Sequence, residues 1–205
     1  ETEGDPLATF ALIQRNEKVE FQQDSERELR IFSKYAQQTM EAAASSKEAI
    51  DAVVWPESMY TGAVPWHFAE DGARTPAEAN LTGDEFESLI RQWQTQFIGR
   101  SFALQQNAKQ ASGASKKQPH LIVGTAVLRY AERPFIYSGI VHVLPQDSLA
   151  IDAPELSRQG ISDWYGKTHL VMFGEYVPLA RYIPPLRANL PPGMGIDVGP
   201  GPKRF

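Results

Sequence analysis

Two short apolar runs bracket one long amphipathic stretch at the start of the chain, and this alternation constrains the fold more than any other feature. Residues Ala8–Gln14 read ATFALIQ and Ile50–Trp55 read IDAVVW. Each is a four-to-seven-residue apolar block of the kind that forms a strand buried on both faces. Between them, Asp24–Ala44 reads DSERELRIFSKYAQQTMEAAA. Asp24 or Ser25 can cap a helix there, and Glu26 and Glu28 favour its first turn. Leu29, Phe32, Tyr35 or Ala36, and Thr39 or Met40 recur at helical spacing. Strand, helix, strand in this order predicts an α/β layer fold.

Further along, Pro56 ends the second strand because it has no N–H for the ladder. Ser58–Leu81 is broken by Gly62, Pro65, Gly72 and Pro76 and reads as a long loop. Thr82 to about Phe102 predicts a second amphipathic helix, with Phe86, Leu89, Ile90, Trp93 and Phe97 on one side. Gln105–Pro119, polar and small, reads as an exposed loop. His120–Tyr130 and Pro134–Leu144 predict two strands of a hairpin around Ala131–Arg133. The Pro- and Gly-rich stretch from Leu179 to Phe205 predicts irregular structure.

Composition removes several function classes. The 205 residues carry 20 Lys and Arg against 25 Asp and Glu, a formal charge of −5. Nucleic acid is therefore an unsuitable main partner, since phosphate neutralisation needs a basic face. There is no cysteine, hence no disulfide, thiolate metal site or cysteine nucleophile within these residues. His67, His120, His142 and His169 are scattered without ligand spacing, so no metal site and no cofactor is expected. No run reaches the roughly 20 apolar residues of a membrane-spanning helix, and no signal peptide is visible at the start. The chain reads as a segment of something longer.

Two places carry candidate chemistry. Glu57, in VVWPES, directly follows the carboxyl end of a predicted strand, where ligands bind in open α/β folds. A carboxylate held there can serve as a general base if partial burial raises its pKa, or it can be a solvated loop residue. The second place is Trp164–Leu179, WYGKTHLVMFGEYVPL. Lys167 and Glu175 lie among Trp164, Tyr165, Phe173 and Tyr176, so they must reach the surface or pair with each other. Lys167 suits oxyanion stabilisation with Glu175 keeping it charged, and a purely structural ion pair explains the pattern equally.

Taken together, VVWPES and YGKTHLVMFGEYVPL resemble the nitrilase superfamily, and within it the membrane-bound apolipoprotein N-acyltransferase family. Tyr165, Lys167, His169, Leu170, Val171, Phe173, Gly174, Glu175, Tyr176, Val177, Pro178 and Leu179 agree with that family's second motif, and ALIQ at 11–14 fits a first strand. Met172 stands where the family usually has Pro. Tyr137-Ser138-Gly139 stands where Tyr-Asn-Ser or Tyr-Asn-Thr is common, and neither departure is expected to carry chemistry. The resemblance implies an α-β-β-α sandwich, incomplete here, with residues 1–205 forming the N-terminal portion of one nitrilase-like domain. It implies a Glu-Lys-Cys triad with Glu57 as general base, Lys167 as oxyanion stabiliser and Glu175 as auxiliary acid, the Cys lying elsewhere.

The implied reaction moves an acyl chain from a phospholipid donor, through a Cys thioester, to the N-terminal amine of a lipoprotein. The implied location is the bacterial inner membrane, reached through segments outside this sequence, with the catalytic domain facing the periplasm. The 205 residues alone are expected to be inactive. Two other readings share these residues: a soluble nitrilase-type amidase acting on a small amide, and a truncated non-catalytic paralogue. Met59–Phe68, MYTGAVPWHF, is apolar for a loop, and it suits either an acyl-chain entrance near the bilayer or ordinary packing. An incomplete sandwich also predicts an uncovered apolar sheet face.

Overall fold

The structure, a computed structural model, describes residues 8–17, 24–60, 64–113, 117–145, 160–172, 175–177 and 195–202. Among these residues six strands form one mixed sheet: β1 (Phe10–Leu12), β2 (Ala52–Trp55), β3 (Trp66–Ala69), β4 (His120–Tyr130), β5 (Pro134–Val143) and β6 (Ile161–Gly166). The spatial order is β1-β2-β4-β5-β6. β1, β2 and β4 run parallel, while β5 and β6 are antiparallel to their neighbours. The chain is therefore an α/β protein, as the alternation predicts.

β3 shares an edge of β4 with β2. Ala52 to Trp55 pair with His120 to Val123, and Trp66 to Ala69 pair with Val127 to Tyr130. One long strand is thus matched by two short ones with a break between them. The long-loop reading of Ser58–Leu81 is corrected here, for that segment holds β3 and a short 3₁₀ turn at Ala77–Ala79. WHFA is too short and too closely flanked by Pro65 to signal a strand by itself. The free edge of β4 makes it one.

Two helices cover one face. In α1 (Ser25–Ser45) the carboxylate of Asp24 accepts from the N–H groups of Glu26 and Arg27, at 3.0 and 3.2 Å. The buried row is Ile31, Tyr35, Thr39 and Ala43. Leu29 stays 49% exposed, one step off the apolar face read from the sequence. α2 (Gly83–Ser112) opens on a reciprocal Thr82–Glu85 capping box and runs ten residues beyond Phe102. Gln105–Pro119 is therefore largely helix rather than exposed loop. The extension buries Leu104, Gln105 and Ala108. Gln105 is tolerated there because its amide donates to the carbonyls of Pro119 and Leu144, at 2.9 and 3.0 Å.

The core lies between these helices and the odd-numbered side chains of the central strands: Val53, Trp55, Leu121, Val123, Val127, Tyr137, Val141 and Val143. Most even-numbered side chains point to the opposite face, although at the end of β4 Leu128 and Tyr130 pack with Phe86 and Ile90 of α2. Among the described residues neither helix covers the rest of that face, and Phe10, Leu12 and Ile136 stay 56%, 76% and 42% exposed. Helices on one face with an open apolar face behind them are consistent with part of a nitrilase-like sandwich. Among the described residues, no helix is long and apolar enough to cross a membrane.

Candidate active site

The break between β2 and β3 is what displays Glu57. After Pro56 the chain turns away from the sheet through Ser58, whose φ of 58° is left-handed. It returns at Tyr60, whose N–H donates to the Gly124 carbonyl at 3.0 Å and whose own carbonyl accepts from Thr125 Oγ1 at 3.1 Å. The detour passes so close to β4 that a Cβ on Gly124 would meet the Pro56 oxygen and, at 2.6 Å, the Glu57 Cα. Glu57 is therefore fixed at its backbone, while its side chain stays 55% exposed.

Lys167 follows β6 directly and is also fixed through the main chain. Its N–H donates to the Ser138 carbonyl at 2.8 Å, and its carbonyl accepts from Gly199 N–H at 2.9 Å. The ammonium then bridges two carboxylates. Nζ donates to Glu175 Oε1 at 2.7 Å and to Glu57 Oε1 at 3.1 Å. Glu175 is itself clamped: its Oε2 accepts from Val171 N–H at 2.7 Å, and its carbonyl accepts from Gly195 and Ile196. The three candidate residues, separated by 110 and 8 positions, thus meet around one cation.

Electrostatics follow from this geometry. Burial pushes the Glu57 carboxyl up, but hydrogen bonds from Ser138 and Lys167 and the ammonium's charge outweigh it and hold the group below its ordinary range. The raised pKa on which the sequence made a base role conditional is therefore not found. For Lys167, the hydrogen bond to Glu175 is the main influence. With Glu57 it outweighs desolvation and raises the ammonium's pKa. The resting site holds an ionised acid beside a firmly protonated amine.

Ser138 is the contact the sequence reading missed. Its hydroxyl donates to Glu57 Oε1 at 2.7 Å, although the Tyr137-Ser138-Gly139 departure was expected to carry no chemistry. Its outward direction on β5 was available from strand alternation. That Glu57 lies opposite it depends on the β2–β3 detour.

The chain is 36% identical over 204 residues to the apolipoprotein N-acyltransferase of Rhodopirellula baltica. The similarity to an apolipoprotein N-acyltransferase is thereby shown. It covers 96% of this chain and 34% of the relative, so the chain spans about a third of that apolipoprotein N-acyltransferase. No protein-family model matches the chain.

Other candidates resolve differently. Phe173, Gly174, Pro178 and Leu179 of the second motif, and most of the tail from Leu179, lie outside the described residues. Tyr60 and Trp66, the large rings of Met59–Phe68, are core side chains at 0% and 4% exposure. Tyr60 packs on Trp55, Phe32 and Phe97, and its hydroxyl bonds Ser101 Oγ at 2.8 Å. Burial accounts for these two rings, which removes them from an acyl-chain entrance. His67 stacks on Trp93 with centroids 4.1 Å apart, and burial lowers its pKa to about 4. His120 and His142, far apart in sequence, meet across β4 and β5 at 3.0 Å. Among the described residues, no group of three or more His, Asp or Glu side chains could hold a metal ion.

Proposed function

We propose that residues 1–205 form the N-terminal portion of a nitrilase-like catalytic domain, which in the whole protein transfers an acyl chain from a phospholipid to the N-terminal amine of a lipoprotein. The single observation carrying this reading is the Lys167 ammonium shared between Glu57 and Glu175 at one end of the sheet. The similarity to an apolipoprotein N-acyltransferase supplies the reaction class. A cysteine outside these residues supplies the nucleophile, and without it the 205-residue piece is inactive.

In the first half-reaction, Glu57 takes the thiol proton and the thiolate attacks the ester carbonyl, forming a C–S bond. Lys167 is placed to stabilise the oxyanion that develops. As Lys167 turns to that oxyanion, the hydrogen bond that favours the charged form of Glu57 is released, which helps the acid hold the thiol proton until the leaving group needs it. Glu175 keeps the ammonium charged throughout. The C–O bond then breaks, and Glu57 returns its proton to the lysophospholipid. In the second half, the lipoprotein amine attacks the thioester, Glu57 takes a proton from it, and the C–S bond breaks to regenerate the thiol. The setting is a bacterial inner membrane, with the catalytic domain on the periplasmic side and the membrane reached through segments outside this chain.

The test uses the whole protein with radiolabelled phospholipid in vesicles and a diacylated lipopeptide as acceptor. A labelled thioester should accumulate without acceptor and be discharged by the lipopeptide, and Glu57→Ala and Lys167→Ala should both abolish it. Hydrolysis of a small amide with no transfer from phospholipid would favour the soluble amidase instead.

A further inference from the structure

Glu57 has two carboxylate oxygens, and its surroundings treat them differently. Both hydrogen bonds to it end on Oε1, from Ser138 Oγ at 2.7 Å and Lys167 Nζ at 3.1 Å. Among the described residues, Oε2 accepts none. Lys167 cannot by itself set this asymmetry during a reaction, because its ammonium must leave Glu57 to meet an oxyanion. Ser138 has no such second duty. It lies in the middle of β5, paired with Ala126 of β4, and its carbonyl is held by Lys167 N–H. Its hydroxyl therefore has a fixed origin and reaches a carboxylate 81 residues away in sequence.

We propose that Ser138 is a positioning residue for Glu57: its hydroxyl holds Oε1 and so presents Oε2 as the oxygen that exchanges a proton with the incoming thiol. This rests on the acyl-transfer reading for the identity of the proton donor, while the contact itself stands without it. A strand-borne hydroxyl restricts carboxylate rotation at small entropic cost, because the strand is already ordered. It also bonds the charged form of the acid, which favours ionisation. The charged groups facing Glu57 among the described residues are Lys167 and, beyond it, Glu175. Both remain in place when only the hydroxyl is removed.

The experiment compares wild type, Ser138→Ala, Ser138→Val and Ser138→Thr in the whole protein. Val and Thr are both β-branched and strand-compatible, so that pair isolates the hydroxyl even where Ala disturbs the strand. Two readouts are taken: Glu57 titration by 13C NMR of glutamate-labelled protein, with Glu57→Gln marking the signal, and the pH dependence of thioester formation. Ala and Val should move the Glu57 titration and the acid limb of the rate profile to higher pH. They should also slow thioester formation on the order of tenfold, as expected for one hydrogen bond to a charged group. Thr should restore both. An unmoved titration in Ser138→Val overturns the proposal, as does equal slowing in Val and Thr with an unshifted limb. Absence of thioester in wild type instead overturns the acyl-transfer reading, and the titration still decides the role of Ser138.

Discussion

The two faces of the sheet handle polar groups in opposite ways. Beneath the helices, the buried polar side chains are neutral and several are bound to a near neighbour: Trp55 Nε1 donates to Thr39 Oγ1 at 3.0 Å, Tyr60 to Ser101 at 2.8 Å, and His67 meets Tyr130 at 3.1 Å. At the open end the chain instead places two carboxylates and an ammonium together, Glu57 half-exposed and Lys167 and Glu175 more covered, on backbone held by at least five main-chain hydrogen bonds. Burial keeps the first set uncharged, since an unpaired ion there would cost several kcal/mol. Partial exposure lets the second set stay charged and still exchange partners. Rigid main chain with accessible charged tips is what a site for proton movement requires.

Five substitutions would break or sharpen that contrast. Trp55→Ala should have the largest effect, about 3–5 kcal/mol of stability in denaturant unfolding, because Trp55 packs on Phe32, Tyr35 and Tyr60 and donates to Thr39. Lys167→Ala should do the reverse. Stability should change by less than about 1 kcal/mol, since the site is partly exposed, while thioester formation in the whole protein slows on the order of 10²–10³-fold. Equal loss of stability in both variants would erase the distinction.

Gly124→Ala joins the two regions. Its methyl group would collide with the main chain at Pro56 and Glu57, so about 1–3 kcal/mol of destabilisation is expected. Turnover should fall further than stability does, measured on protein that is still folded.

The remaining effect is one of pH. A histidine whose folded pKa is depressed adds stability that is full above its unfolded value of 6.5 and is lost as pH falls toward about 4. Glu57 is also depressed, but from 4.5, so its contribution is lost only as pH falls below that range. Unfolding free energy measured between pH 7 and 4 should thus fall less steeply in His67→Gln, with Glu57→Gln leaving most of that slope intact.

Much of this was legible in the residues. The strand, helix, strand alternation, the capping position at Asp24, the β4–β5 hairpin and the identities of Glu57, Lys167 and Glu175 all follow from local pattern or motif. What escaped was set by contacts between distant segments. α2 outruns its apolar pattern because Gln105 finds two carbonyls inside the fold. WHFA becomes a strand because β4 offers an edge. Tyr60 and Trp66 looked suited to an apolar entrance, yet both pack beneath the sheet.

By itself, the sequence determined the α/β class, the start of both helices and which ionisable side chains stand at strand ends, because these depend on periodicity and on neighbours a few residues apart. Only the tertiary structure decided that Lys167 bridges Glu57 and Glu175, that Ser138 holds Glu57, and that Glu57 rests ionised. The physical reason is that a carboxylate's charge state depends on the balance between desolvation and the donors around it, and here those donors arrive from β5 and from the residue after β6, 81 and 110 positions along the chain.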